Sequence, residues 1–214
     1  MSVRADLNIS LDGYASGVDP TPENPMGADW DRLVAAYAAT RTFRERVLGE
    51  RSGEGTTGVD DAYAHDYFEG IGAEIMGAGM FGFHTYPDDP DWHGWWGDDP
   101  PFHYPVFVLT HTPRPTLEMA GGTSFHFLDA SPRDALARAQ DAAGGKDVRV
   151  GGGVRTVRAF LAEGLIDHLH VAVAPIIIGG GVSLWSELRG LESGCTVSSE
   201  VAESGTIHVT FRRD

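Results

Sequence analysis

Two glycine runs are the residues most suited to chemistry. In Val148-Arg149-Val150-Gly151-Gly152-Gly153-Val154-Arg155-Thr156 an apolar strand ends, three glycines turn, and a helix begins. That arrangement points backbone amides and a helix N-terminus at a negative group, so a phosphate or pyrophosphate is the natural occupant. The spacing is not the six-residue dinucleotide fingerprint, and no Lys-Ser/Thr pair follows it. On pattern alone, a glycine turn made only for strand–helix packing explains the run equally well. The second run, Ile178-Gly179-Gly180-Gly181-Val182, closes a later strand. Ligands of α/β sheets sit beyond the carboxyl ends of strands, so two such turns suggest a cleft wall. Thr110-His111-Thr112 ends another strand, where hydroxyls and an imidazole could hold a phosphate or a ribose, or simply form a polar turn. Asp12 directly follows an apolar strand and could orient a substrate or relay a proton. Its competing role is an Asx turn beside Gly13. The histidines include His168 and His170 on one strand face, but no third ligand is indicated, so no metal site is expected. No G-x-S-x-G nucleophile elbow is present.

Alternating apolar residues predict a first strand over Val3–Ser10, turning at Asp12-Gly13-Tyr14. A proline-bearing loop is expected over 18–27. Trp30, Leu33, Val34 and Tyr37 predict one helix from Asp29 to Leu48. The Gly/Ser-rich stretch 49–58 reads as an exposed linker, and 60–69 as a second helix. Glu74–Met76 reads as a short buried strand. The stretch 86–105 mixes Trp92, Trp95 and Trp96 with aspartates and prolines, which predicts a rigid aromatic loop. Strands then alternate with helices: strands over 106–109, 123–128, 147–150 and 168–174, and helices over 131–143 and 153–163. Ser131-Pro132 supplies an N-cap and a first-turn proline, with Asp134 in the capping-box position. Residues 197–201 and 207–211 predict a closing antiparallel hairpin. The sum is one α/β domain over 1–214, with a mostly parallel sheet flanked by helices and an antiparallel edge.

Composition narrows the partners. The chain has 31 acidic and 16 basic side chains, a formal charge of −15, which disfavours nucleic acid and anionic membranes. Its 28 glycines are about twice the ordinary share, and their clustering implies tight turns or close backbone approach. The single cysteine, Cys195, fits a reducing cytoplasm and excludes a cysteine-based metal site. Asp6 interrupts any signal-peptide core, and no 18-residue apolar run is present.

Several of these segments carry a resemblance. Asn8-Ile9-Ser10-Leu11-Asp12-Gly13-Tyr14, Val150–Gly153, and the run from Leu161 through His168-Leu169-His170 and Pro175 into Gly179-Gly180-Gly181 are similar to the dihydrofolate reductase-like family. That family shares its fold with the reductase domain of bifunctional riboflavin biosynthesis proteins, the chain resembles a stand-alone domain of this type, and Trp95–Phe102 with Val106–Thr110 resemble one subgroup. The resemblance implies a dihydrofolate reductase-like fold that binds NADPH. It implies that Gly151, Gly152, Gly153 and Val154 approach the cofactor pyrophosphate, that Thr110 and His111 lie by the adenosine ribose and its phosphate, and that Asp12 faces the nicotinamide and substrate. Gly77 and Gly180 join the implied cofactor residues, and homodimers are implied as well. No deaminase portion or zinc signature is expected with the domain. The family's Gly-Arg pair after the second strand reads Gly77-Ala78 here, which removes a phosphate-binding arginine. Arg155 or His111 could compensate; NADH or a flavin are the other cofactors considered.

The reading that follows is an NADPH-dependent reductase, transferring a hydride to a small heterocyclic or ribosylamino-pyrimidine-like molecule. The alternative is a nucleotide- or flavin-binding protein of the same fold without turnover. A third possibility is an interaction role through the tryptophan loop. Trp92, Trp95, Trp96 and Tyr14 are candidate pocket aromatics, with loop packing as their competing role.

Overall fold

A computed structural model describes residues 1–17, 21, 26–83, 85–86 and 89–213. Most of the loop expected over 18–27 therefore lies outside the described residues. The chain divides into two units, Met1–Ala5 with Gly70–Asp167, and Asp6–Glu69 with His168–Asp214. Strand β1 (Val3–Ser10) contributes its first residues to the first unit and the rest to the second.

In the first unit, β2 (Ile71–Gly77), β3 (Pro105–Leu109), β5 (Ser124–Leu128) and β6 (Asp147–Gly152) run parallel, and the short β4 (Leu117–Glu118) pairs antiparallel with β5. The strand order is β4-β5-β3-β2-β6-β1. β2 is buried along its whole length, so it shows no alternation of apolar and polar residues, and Glu74 is buried within it. That hides its ends: only Glu74–Met76 is legible in sequence, whereas pairing with both neighbours extends the strand to 71–77. Met76, Phe81, Val106, Val108 and Phe125 form the heart of one core cluster. Two longer helices cover these strands. In α6 (Pro132–Ala142) the Ser131 hydroxyl accepts from the Asp134 amide, as the capping motif predicts. In α7 (Val154–Ala162) the buried face carries Val154, Val157, Phe160 and Leu161. A short helix not expected from sequence, α5 (Ala78–Phe81), follows Gly77 directly.

In the second unit the order is β1-β7-β9-β8, with β9 (Ile207–Arg213) antiparallel to both β7 (His168–Ala174) and β8 (Cys195–Val201). The helix expected from 29 to 48 is broken into α1 (Trp30–Leu33), α2 (Ala35–Ala38) and α3 (Arg41–Arg46). Thr40 causes the second of these two breaks. It sits extended at φ −69° and ψ 150°, and its hydroxyl accepts from the Phe43 amide while donating to the Tyr37 carbonyl. A threonine that caps a new helix must end the old one. The stretch after α3 is exposed but not free, because Thr56 exchanges backbone hydrogen bonds with Ala39 and Arg41. Helix α4 (Val59–Phe68) starts where the Glu203 carboxylate accepts from the Val59 amide.

Candidate functional site

Three of the predicted segments meet at one edge of the first unit. Pairing sets Gly77 of β2 opposite Leu109 of β3, and Met76 opposite Gly152 of β6. Gly77, Thr110 and the Gly152–Gly153 turn therefore stand side by side at the carboxyl ends of three parallel strands. A Cβ on Gly77 would run into the Thr156 hydroxyl of α7, so glycine is needed there for close helix–strand approach.

The triple glycine divides its labour. A Cβ on Gly151 would collide with the Glu74 carboxylate beneath it. Gly152 has φ +134°, a conformation that glycine tolerates and other residues resist. The Gly152–Gly153 peptide is cis. Gly153 is the N-cap of α7, with open space where its Cβ would be. No side chain caps α7 and no acid lies in its first turn. The first turn of a helix has amides without intrahelical partners, and its dipole favours an anion. Val154 is buried against the unit, whereas Arg155 is exposed in that same turn.

Under the turn lies a feature that sequence reading missed. Arg149 and Glu74 form a fully buried ion pair, and the Tyr104 hydroxyl donates to Glu74 Oε2 at 3.2 Å. Cross-strand register signals it, because Glu74 and Arg149 pair directly between β2 and β6, but only once the strands are aligned.

At the end of β3 the Thr110 hydroxyl accepts from the Thr112 amide, and the Thr110 amide donates to the Leu128 carbonyl. His111 is almost fully exposed, with Nδ1 3.0 Å from Asp129 Oδ1. The tryptophans serve packing. The indoles of Trp95 and Trp92 donate to the carbonyls of Met80 and Phe81 at 3.0 and 2.8 Å, satisfying the end of α5. Trp96 packs on Phe102 and Phe125. Arg114 lies over the ring of Phe83 at 4.4 Å and donates to the carbonyls of Asp89 and Pro90.

The second unit holds Asp12 and Gly180. The exposed Asp12 carboxylate accepts from the amides of Gly179 at 2.7 Å and Ile178 at 3.3 Å. A hydrogen bond with the Ser10 side chain, then those amides, hold its carboxyl below the ordinary aspartate range. Asp12 thus fastens the glycine turn that contains the half-buried Gly180. Around it, Leu11 donates to Ile176, Ala15 to Val182, and Leu184 to Gly13. Tyr14 bridges to Ser183. The charged carboxylate is what these bonds favour, so the grip on the turn persists above the unfolded aspartate range and is lost as pH falls through the lowered folded value. The Gly179 amide resonance should therefore titrate with a midpoint below the ordinary aspartate value. A midpoint at or above that value would remove the case for a charge-held turn.

Among the described residues, no group of three or more His, Cys, Asp or Glu side chains is placed to hold a metal ion. Nor, among them, is any helix long and apolar enough to cross a membrane.

Among solved structures, the chain is similar to a putative riboflavin biosynthesis protein from Shewanella sp. PV-4, at 24% identity and TM-score 0.63, covering 100% of this chain and 99% of that one. A diaminohydroxyphosphoribosylaminopyrimidine deaminase/5-amino-6-(5-phosphoribosylamino)uracil reductase from Thermotoga maritima matches at 16% identity and TM-score 0.56. All of this chain is covered, but it spans only 56% of that protein. A pyrimidine reductase-like protein from Corynebacterium diphtheriae matches at 15% identity and TM-score 0.50, covering 100% and 92%. These likenesses establish the mixed α/β fold, mostly parallel with antiparallel strands at its C-terminal side. No curated protein matches the chain. The RibD C-terminal domain family matches residues 1–207, and the chain belongs to that family.

Proposed function

We propose that the protein is an NADPH-dependent reductase acting on a small heterocyclic or ribosylamino-pyrimidine-like substrate. The observation that carries this reading is the alignment of Gly77, Thr110 and Gly152–Gly153 at one edge of the first unit, beside the uncapped start of α7, in a chain of this family. The open space at Gly153 and the absence of an acid from the first turn of α7 fit a diphosphate. Gly153, Val154 and Arg155 would hold it, and Thr110 and His111 would hold the adenosine ribose and its phosphate. When bound, the reduced nicotinamide supplies the hydride. In this reading Gly180 stays among the cofactor residues, and Asp12 belongs to the substrate side. Asp12 would act there as an orienting group, since an ionised carboxylate held by amides makes a poor proton donor at neutral pH.

The reading takes the whole chain as one domain working in a reducing cytoplasm, and pairs two copies in a homodimer. Exposed Val197 and Val201 on the edge strand β8 support self-association. Light scattering should report twice the chain mass.

Titration with NADPH, NADH and flavins by fluorescence tests the central reading. Saturable NADPH binding with substrate-dependent oxidation is the expected result, and no binding of any of the three overturns it. Ala78 favours a second reading, a nucleotide- or flavin-binding protein without turnover, which NADPH binding without oxidation would select. Restoring the clamp with Ala78→Arg should tighten NADPH by about tenfold, the worth of one charge-assisted contact, and NADH by less. Unchanged or weaker NADPH binding would refute the lost-clamp argument.

A further inference from the structure

The second unit contains an unbroken line of titratable side chains that the proposed function does not use. Asp6 Oδ1 of β1 lies 3.1 Å from His170 Nδ1 of β7. His170 Nε2 lies 2.9 Å from His208 Nδ1 of β9, and His208 Nε2 lies 2.9 Å from Asp60 Oδ1 of α4. All four side chains are buried or nearly so. The ring of Tyr63, also from α4, stacks on both imidazoles at 4.3 and 4.1 Å.

Counting protons decides what this line must be. Each carboxylate end needs an N–H from its histidine, so His170 Nδ1 and His208 Nε2 are both protonated. If the rings carried no other proton, two lone pairs would face each other across the central 2.9 Å contact. If both rings were fully protonated, two N–H groups would face each other instead. Three bridges are complete only with three bridging protons, one more than two neutral imidazoles carry between ionised carboxylates.

We propose that Asp6, His170, His208 and Asp60 bind one proton beyond two neutral imidazoles, and that this shared proton latches α4 to the sheet of the second unit. The proton sits on His170, which donates to Asp6 and to His208, while neutral His208 donates to Asp60. Burial pushes His208 below the ordinary histidine range against the pull of Asp60, in keeping with its place as the neutral ring. The face of Tyr63 stabilises a cation stacked on it.

Three neighbouring charges with described positions bear on the count. Glu200 of β8 pairs with His208 in register and accepts from the Tyr63 hydroxyl at 2.8 Å. Its negative charge favours the proton. Arg212 of β9 pairs with His168 and Thr196, one step along from His170, and opposes it. On α4, Asp61 is turned away to accept from the Thr42 amide.

Linkage gives the device a signature. Below about pH 6.5, the unfolded chain protonates both histidines and the folded chain only one, so stability falls as pH drops. Above it, the unfolded chain protonates neither while the folded chain keeps one, so stability falls as pH rises. A buried neutral pair would show no such alkaline fall. Urea unfolding of the full chain from pH 5 to 9 should peak in the ordinary histidine range, then lose up to about tenfold in the folding constant per pH unit. His170→Asn keeps a donor for Asp6 but removes the central bridge, and it should abolish the alkaline fall. An alkaline fall that is absent from the unsubstituted protein, or unchanged in the variant, overturns the proposal. Should His170→Asn fail to fold, nitrogen NMR of the unsubstituted protein at pH 7.5 decides the matter. Two protonated nitrogens on His170 with an Nε2–H tautomer on His208 sustain the shared proton, and two neutral rings refute it.

Discussion

Glu74→Ala is expected to destabilise the protein by about 3–5 kcal/mol, as measured by urea unfolding. Arg149 would keep its charge in a fully buried place after losing its carboxylate, and the Tyr104 hydroxyl would lose an acceptor. Burial of an ion pair is not by itself stabilising, so an apolar pair of similar volume at both positions should recover most of the loss. The same carboxylate lies directly against Gly151. Gly151→Ala should cost about 1–3 kcal/mol by overpacking in the natural background, and much less in the Glu74→Ala background. A double-mutant cycle measures that coupling. Additive effects would mean that the turn and the ion pair are independent. Coupled effects would mean that the glycine turn is seated on the buried ion pair.

Gly181→Ala is the second large effect. Its φ is +127°, and the added Cβ would meet the carbonyl oxygen of Ser16, a backbone atom that no side-chain rotation can move. Strain and overpacking together predict a loss of roughly 2–5 kcal/mol. Gly179→Ala is the contrast: φ is +71° and the space is open, so about 1–2 kcal/mol is expected. Both glycines belong to the turn that Asp12 holds, and thermal unfolding of the two variants separates backbone strain from collision. Equal losses would remove the argument from Ser16.

Much of the architecture could be read from the chain because its signals are local. Ser131, Pro132 and Asp134 announce α6, and the strand–glycine–helix run announces β6 and α7. Alternation at Leu169, Val171 and Val173 announces β7. What escaped notice depends on register. His170 and His208 are far apart in sequence, and only the antiparallel pairing of β7 with β9 brings them within reach of each other and of Asp60. Glu74 and Arg149 likewise look like strand charges until β2 and β6 align. Thr40 misled in the opposite way, since helical spacing of apolar residues outweighed a single capping hydroxyl. For the candidate site, the glycines were legible as turns. That Gly151 answers to Glu74, and Gly153 to open space, depends on what lies beneath each Cα.

Two indole N–H groups end α5, and α5 begins at the glycine beside the start of α7. Light therefore reads that edge of the sheet without any added label. Emission from Trp92 and Trp95 depends on whether their donors remain engaged with the carbonyls of Phe81 and Met80. A ligand that shifts α5 would change the colour of that emission, whereas one that only quenches would leave its wavelength fixed. The aromatic loop is in this sense an optical gauge, tied by hydrogen bonds to the short helix that opens with Ala78.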